Sequence, residues 1–209
     1  MAPRLLIGTG NPGKIIEIET IIGELPFEFH SLNEFRDVAP ASESGKSYVE
    51  NAIAKARYYA ATTGLCTLAD DSGLEVEALG GAPGVFSARY AGEGASDHDR
   101  RELLLTELFQ TDDDERAARF VCVVAIAGPN GELMKTSEGI CRGTISRIAK
   151  GYGGFGYDPL FVPNGYAQTF AELPESVKNR ISHRARALVP CKDFLLREAG
   201  KLDPELPAS

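Results

Sequence analysis

Two adjacent carboxylates, Asp70 and Asp71, stand where an apolar run stops, and Ser72 and Gly73 follow them. The residues before them, 66–69, predict a short buried strand, and the glycine predicts a tight turn. In α/β proteins, ligands bind where strands end, and neighbours that leave a strand point to opposite sides. One carboxylate can therefore serve a metal or a water and the other the supporting structure. The alternative is a solvated turn, which Asp, Ser and Gly also favour.

A glycine-rich turn near the N-terminus is the second candidate for chemistry. Residues 4–8 predict a first strand, and a helix start follows them in Thr9-Gly10-Asn11-Pro12-Gly13-Lys14, with Asn11 as N-cap. N–H groups at a helix start, next to a lysine, favour an anion. The dinucleotide and P-loop patterns fit only in part. Ile15 stands where a P-loop needs Ser or Thr, and the second strand ends in His30-Ser31 where the dinucleotide pattern needs an acidic residue. We therefore expect a phosphate site, with an ordinary capped loop as the alternative.

The C-terminal half contains two more candidate stretches. In residues 151–159, five of nine positions are glycine or proline and three of the others are aromatic. Rings displayed on such a backbone suit a nucleobase, which stacks for roughly 1–3 kcal/mol, and the alternative is a glycine hinge with core aromatics. Residues 178–186 carry four cations and a histidine. They are predicted to open the last helix as a second anion-binding patch, and Pro190 is expected to kink or divide that helix.

Composition narrows the classes of function. The net charge of −8 over 209 residues argues against a nucleic-acid polymer as partner, although a local group of Lys and Arg can still bind one nucleotide. No apolar run approaches the ~20 residues that span a bilayer, and the short N-terminal apolar stretch predicts a cytoplasmic protein without a membrane partner. The four cysteines are widely spaced, which predicts reduced core thiols. We expect one domain over residues 1–209, with a loose tail from about residue 203.

The remaining pattern predicts an α/β fold with a mixed sheet. Helices are expected over residues 47–63 and 96–109, and an antiparallel ribbon over 119–127 and 133–141 that suggests a second lobe. Residues 34–45 predict a polar surface loop. Taken singly, Glu43, Glu50 and Lys55 are typical of solvated surface charges.

Six separated motifs, in order and spacing, resemble the inosine triphosphate pyrophosphatase family, in its bacterial form that acts on XTP and dITP. The similarity covers nearly the whole chain. It is carried by Thr9-Gly10-Asn11-x-x-Lys14, Glu50-Asn51-Ala52-x-x-Lys55-Ala56, Asp70-Asp71-Ser72-Gly73-Leu74, Ser87-Ala88-Arg89-Tyr90, Phe155-Gly156-Tyr157-Asp158-Pro159 and Ser182-His183-Arg184.

The resemblance implies a two-lobed, mixed twisted sheet flanked by helices, with a nucleotide cleft between the lobes, in a homodimer. It implies hydrolysis of non-canonical purine triphosphates (dITP, ITP and XTP) to monophosphate and pyrophosphate, with Mg²⁺ as cofactor. Phosphates would be bound by Thr9, Gly10, Asn11, Pro12, Gly13, Lys14 and Lys55. The metal would be held by Glu43 and Asp71, and Asp71 would also accept the proton of the attacking water. Other substrate contacts would come from Ser72, Phe155, Gly156, Tyr157, Asp158, Lys178, His183 and Arg184.

The residue chemistry agrees with these implied roles. Mg²⁺ binds through one or two carboxylates plus phosphate oxygens and keeps several waters, so two acidic side chains suffice. Lysines suit a departing pyrophosphate, because they stabilise its negative charge. Two other classes of function stay open at this point: a module that binds a purine nucleotide without turnover, and an NAD-dependent oxidoreductase.

Overall fold

The computed structural model describes residues 2–200, in which strands and helices alternate along most of the chain. The strands are β1 (Arg4–Ile7), β2 (Glu28–Ser31), β3 (Cys66–Val76), β4 (Ala117–Ala127), β5 (Leu133–Ile145) and β6 (Phe161–Pro163). The helices are α1 (Pro12–Ile22), α2 (Tyr48–Thr63), α3 (Asp97–Glu107), α4 (Glu175–Ile181) and α5 (His183–Glu198). Short 3-10 turns occupy parts of the connections.

All six strands belong to one sheet, in the order β2-β1-β3-β4-β5-β6. Strand β1 pairs in parallel with β2 and β3, whereas β5 pairs antiparallel with β6. The predicted mixed α/β sheet flanked by helices is therefore confirmed.

Strand β3 differs from its prediction in a way that matters for the acidic pair. It does not end at Ala69 but continues through Asp70 and Asp71 as far as Val76, so the predicted strand end and turn are wrong. In the parallel pairing of β1 with β3, Ile7 at the end of β1 lies opposite Leu68. The acidic pair therefore follows the point where β1 stops, although β3 itself goes on.

The described residues form two compact units. The first contains residues 2–71, 122–139 and 186–200, and the second contains residues 72–121 and 140–185. Strands β3, β4 and β5 contribute residues to both. The core of the first unit is aliphatic, with Leu5, Ile7, Ile18, Ile22, Leu68, Val124, Ile126 and Leu188 buried together. The core of the second unit adds aromatic rings, with Leu74, Leu104, Leu108, Phe120, Leu160, Phe161 and Phe170.

The predicted last helix is two helices. Ser182 is extended, its N–H donates to the Lys178 carbonyl at the end of α4, and its side chain accepts the N–H of Ala185 at the start of α5. Lys178 therefore lies on a different helix from His183. Pro190 does not divide α5, which continues to Glu198. Buried apolar residues on both sides of the proline, Leu188 and Cys191, hold the helix in the first unit's core and offset the hydrogen bond that Pro190 cannot make.

Two composition-based predictions can be compared with the structure, and a third cannot. All four cysteines are buried thiols, as expected. Among residues 2–200, no helix is both long and apolar enough to cross a bilayer. The predicted loose tail from about residue 203 lies outside the described residues.

Candidate active site

Asp71 is contacted by two side chains from one face of α2. Ser47 caps that helix by accepting the N–H of Glu50, and residues four apart on it face the same way. Asn51 Nδ2 donates to Asp71 Oδ2 at 3.0 Å, and Lys55 Nζ donates to Asp71 Oδ1 at 2.9 Å. Each carboxylate oxygen thus has one partner from α2. Since an ionised carboxylate offers about four acceptor positions, room remains for a further donor such as water.

Lys55 also binds a second carboxylate. Its Nζ lies 2.8 Å from Oε1 of Glu43, in the loop before α2. Lys55 is only 6% exposed, so its interpretation as a solvated surface charge is wrong. Burial lowers the pKa of Lys55, but the negative charges of Asp71, Asp70 and Glu43 raise the pKa by more, well above its usual value. The ammonium therefore stays charged at neutral pH.

The environment of Asp71 suits its carboxylate to act as a base. Burial raises the pKa of the Asp71 carboxyl, while Lys55, Lys14 and Asn51 act in the opposite direction, and the net shift is upward. A carboxylate with a raised pKa takes up a proton more readily near neutral pH, which is what general-base catalysis requires.

Asp70 pairs with a lysine of another helix, α1. Its Oδ2 lies 3.1 Å from Nζ of Lys14 on α1, and Asp70 itself is fully buried. Asn11 caps α1 as predicted, because its side chain accepts the N–H of Lys14. The two adjacent carboxylates are thus paired with two lysines from different helices. We call Lys14, Glu43, Asn51, Lys55, Asp70 and Asp71 the Asp71 cluster.

The donor set of the Asp71 cluster fits Mg²⁺. Glu43 and Asp71 contact the same ammonium, so their oxygens are neighbours around a cation. Carboxylate oxygens are the protein ligands that Mg²⁺ prefers, and one or two are enough when substrate phosphates and water supply the rest. Within residues 2–200 no group of three or more His, Cys, Asp or Glu side chains is placed to bind a metal, so a protein-only metal cage is absent from that range.

A second group surrounds Phe155 in the second unit. The N–H of Phe155 donates to Asp158 Oδ2 at 2.8 Å, and Lys178 Nζ is paired with the same oxygen. Lys178 Nζ lies 4.8 Å and Arg184 Cζ 5.6 Å from the centre of the Phe155 ring. Arg184 also donates to Ser72 Oγ at 3.0 Å. We call Ser72, Phe155, Asp158, Lys178 and Arg184 the Phe155 cluster.

The three aromatic rings of the second glycine-rich stretch differ in exposure. Tyr152 is fully exposed and Phe155 is half-buried, but Tyr157 is 5% exposed and its hydroxyl donates to the Ser87 carbonyl at 3.0 Å. The prediction of displayed rings is therefore wrong for Tyr157. His183 is buried as well, with its ring stacked on Phe120 at 4.6 Å between centroids.

The predicted site residues thus separate by unit. Residues 9–14, Glu43, Lys55 and Asp71 lie in the first, whereas Ser72, residues 155–158, Lys178, His183 and Arg184 lie in the second. Sequence reasoning missed Asn51, which is 1% exposed and bonded to Asp71. The signal was its position four residues before Lys55 on the same helix face. Sequence reasoning also assigned no partner to Asp70. In the structure that partner is Lys14.

Comparison with known proteins places the chain in a family. Residues 5–194 match the model of the Ham1 family. A dITP/XTP pyrophosphatase of Desulforamulus reducens is 48% identical over 93% of this chain and 96% of its own length, and one of Geobacter sulfurreducens is 48% identical over 92% and 96%. A solved HAM1 protein of Coxiella burnetii superposes with a TM-score of 0.84 at 41% identity, covering 94% of this chain and all of that one. The resemblance inferred from the six motifs is thereby confirmed, and the chain belongs to the Ham1 family.

Proposed function

We propose that this protein hydrolyses non-canonical purine nucleoside triphosphates, such as dITP, ITP and XTP, to the monophosphate and pyrophosphate. The relatives are named dITP/XTP pyrophosphatases, which supports the substrate class. The observation that carries the proposal is the buried Asp71 carboxylate, held by Asn51 and Lys55 with Glu43 beside them. This arrangement places a base, Asp71, next to a cation that can bind phosphate, Lys55. Hydrolysis of a triphosphate requires both.

The lysines of the Asp71 cluster bind the triphosphate in this proposal. An ammonium has three N–H donors, and Lys55 uses two of them on Glu43 and Asp71. The third can bind a phosphate oxygen while both carboxylates keep their partner. Lys14 can do the same while it remains beside Asp70. The turn Thr9-Gly10-Asn11-Pro12-Gly13 contributes backbone groups at the start of α1, where the helix dipole favours an anion.

In the reaction, a water oxygen forms a bond to the α-phosphorus, and the bond from that phosphorus to the bridging oxygen of the β-phosphate breaks. Asp71 accepts the water's proton, for which its raised pKa suits it. Lys14 and Lys55 stabilise the negative charge that develops on the departing pyrophosphate. Mg²⁺ held by Glu43 and Asp71 would neutralise phosphate charge and acidify water. Asn51 keeps the Asp71 carboxylate in one orientation through its hydrogen bond.

The Phe155 cluster binds the purine. Phe155 supplies a stacking face. Polar groups for the base and sugar come from the side chains of Ser72, Asp158, Lys178, His183 and Arg184. The backbone contributes the second lone pair of the Gly156 carbonyl and the polar groups of Tyr157. Hypoxanthine and xanthine carry an acceptor at position 6 and a donor at N1, whereas adenine carries the reverse. A pocket that pairs with the first pattern leaves its own polar groups unpaired against adenine, which can discriminate by up to ~10⁴–10⁵.

We propose a homodimer, a cytoplasmic location and a single working domain over residues 1–209. The last is supported by the three strands that contribute residues to both units. Light scattering on a size-exclusion column tests the homodimer.

A panel of nucleotides tests the function. The protein is incubated with dITP, XTP, dATP and dGTP at one Mg²⁺ concentration, and in a parallel set with a chelator, and products are identified by chromatography. We expect kcat/KM for dITP and XTP to exceed that for dATP and dGTP by far more than tenfold, and turnover to stop in the chelated set. Guanine shares the 6-oxo pattern, so exclusion of dGTP requires that its 2-amino group meet a crowded or carbonyl-accepting position. Equal rates on all four substrates would leave a general nucleotide hydrolase. Binding without turnover would favour a nucleotide-binding module.

The stacking role of Phe155 has its own test. Replacing Phe155 by Ala should raise KM for dITP by about 5- to 150-fold, because base stacking is worth roughly 1–3 kcal/mol, and should change kcat little. Tyr152→Ala is the matched control, since Tyr152 is an aromatic residue of the same stretch that is fully exposed. Steady-state kinetics of the two variants decide the question. Equal KM values in both would remove Phe155 from the base site.

A further inference from the structure

Side chains from the first two turns of α3 hold both backbone polar groups of Gly156. The Gly156 N–H donates to Asp97 Oδ2 at 2.7 Å, and Arg101 Nη1 donates to the Gly156 carbonyl at 2.8 Å. The two side chains are about one helical turn apart, so they reach the loop from one side of the helix. Hydrogen bonds to ionised groups are roughly twice as strong as neutral ones. Gly156 is therefore held more firmly than a surface loop residue ordinarily is.

Gly156 needs such a restraint. Its φ of +60° lies in the left-handed region, which glycine adopts about as readily as the right-handed one. A Cβ built at Gly156 meets no atom within 4 Å, so crowding at that position does not select the conformation. The hydrogen bonds of Asp97 and Arg101 act on Gly156 directly, and those of Phe155 with Asp158 and of Tyr157 with Ser87 hold its two neighbours.

Asp97 and Arg101, which we call the Gly156 clamp, are themselves anchored within the second unit. Arg100 is paired with Asp97 and donates to the Ala88 carbonyl at 2.7 Å. The neighbouring Ser87 accepts the Tyr157 hydroxyl on its carbonyl and the Leu74 N–H on its side chain. The segment 155–157 is thus connected through residues 87 and 88 to strand β3. The burial of Asp97 raises its pKa, but the hydrogen bonds from Gly156 and Arg100 lower the pKa by more, so Asp97 is ionised at neutral pH.

We propose that Asp97 and Arg101 are positioning residues, which select the conformation of residues 155–158 and through it place Phe155 against the purine. The inference rests on the proposed function, because it assumes that Phe155 binds the base. Neither residue touches the substrate. Their loss therefore weakens binding and base discrimination, while the chemistry at Asp71 continues.

Kinetics of three variants and one control variant test the proposal. We expect Asp97→Ala to raise KM for dITP about tenfold, to leave kcat within about twofold, and to reduce the preference for dITP over dATP. Asp99→Ala is the matched control: Asp99 caps the same helix through Ser96 and is exposed, but it does not contact Gly156. Arg101→Met should act like Asp97→Ala, and Arg101→Lys should recover part of the affinity. Identical KM values in Asp97→Ala and Asp99→Ala would overturn the proposal.

Amide hydrogen exchange gives a second readout that needs no substrate. In the nucleotide-free protein, we expect the Gly156 amide to exchange faster in Asp97→Ala than in the wild type or in Asp99→Ala. Unchanged exchange in both Asp97→Ala and Arg101→Met would show that no clamp exists. If the wild type hydrolyses no purine triphosphate, the proposed function fails, and the exchange measurement still decides whether α3 holds the loop.

Discussion

Replacing Asp71 by Asn should lower kcat by about 10²–10⁴, the range for loss of a general base. Asparagine keeps the size of the side chain and can still meet Asn51, but it cannot accept a proton and carries no charge for Lys55. Nucleotide binding should change much less than turnover, since the lysines remain. Measuring kcat by pyrophosphate release and Kd with a non-hydrolysable analogue separates the two effects.

Glu75→Gln is the matched control for that result. Glu75 lies on the same strand, where it is paired with Arg119 and outside the Asp71 cluster. Its kcat should stay close to that of the wild type. If a folded Asp71→Asn protein turned over dITP like Glu75→Gln, Asp71 would not be the base, and Asp70 would be the next candidate.

Replacing Lys55 by Met should reduce both catalysis and stability. Turnover loses a cation at the departing pyrophosphate, and removal of one such donor costs about 10²–10³ in rate. An exposed ion pair contributes only about 0–1 kcal/mol to folding, but Lys55 is 6% exposed and bridges two carboxylates. Removing one partner of a buried pair costs about 3–5 kcal/mol, and the half-buried Glu43 places this variant at the lower end.

The loss of stability in Lys55→Met should depend on pH in a defined direction. Lys55 lowers the pKa of Asp71, so its removal raises a pKa that burial already holds up. The folded state then keeps the Asp71 proton to a higher pH than the unfolded state does, and stability falls as pH rises between the two values. Below about pH 4 both states are protonated at Asp71, and its contribution to the difference from wild type disappears.

Urea unfolding of wild type and Lys55→Met between acidic and neutral pH measures this difference. Lys46→Met, which removes an exposed lysine before the same helix, should unfold like the wild type and keep its kcat/KM. A Lys55 variant that matched Lys46→Met in both stability and kcat/KM would return Lys55 to the surface-charge interpretation.

Local signals predicted much of the fold. Asn11 and Pro12 start α1 as capping rules require, and Ser47 and Ser96 cap α2 and α3. The antiparallel ribbon came from two strand-like runs around a turn, and it appears as β4 and β5, a few residues longer than predicted. These features depend on interactions within a few residues, which a single sequence displays.

The central strand could not be predicted in the same way. The apolar run stops at Ala69 and Gly73 favours a turn, so the strand was expected to end at the acidic pair. In the structure Asp70 and Asp71 are buried on β3 because Lys14, Asn51 and Lys55 satisfy them from helices far away in the sequence. Tertiary contacts of this kind override local preference.

The candidate site was predicted through its motifs more than through its contacts. The resemblance named most of the residues, but it did not show that Lys55 joins Glu43 to Asp71 or that Asn51 orients Asp71. Those facts follow from the packing of α2 against β3. Taken singly, Lys55 had been interpreted as a solvated surface charge. Burial of Tyr157 was equally invisible, since an aromatic ring beside glycines fits a display loop and a core alike.

Hydrolysis of dITP in ¹⁸O-labelled water shows which phosphorus atom the water attacks. We expect dIMP and pyrophosphate as products, with the label in the monophosphate, because water attacks the α-phosphorus and pyrophosphate leaves. Mass spectrometry of both products reads the position of the label. Label in the pyrophosphate would place the attack on the β-phosphorus, and formation of dIDP with orthophosphate would contradict the proposed reaction altogether.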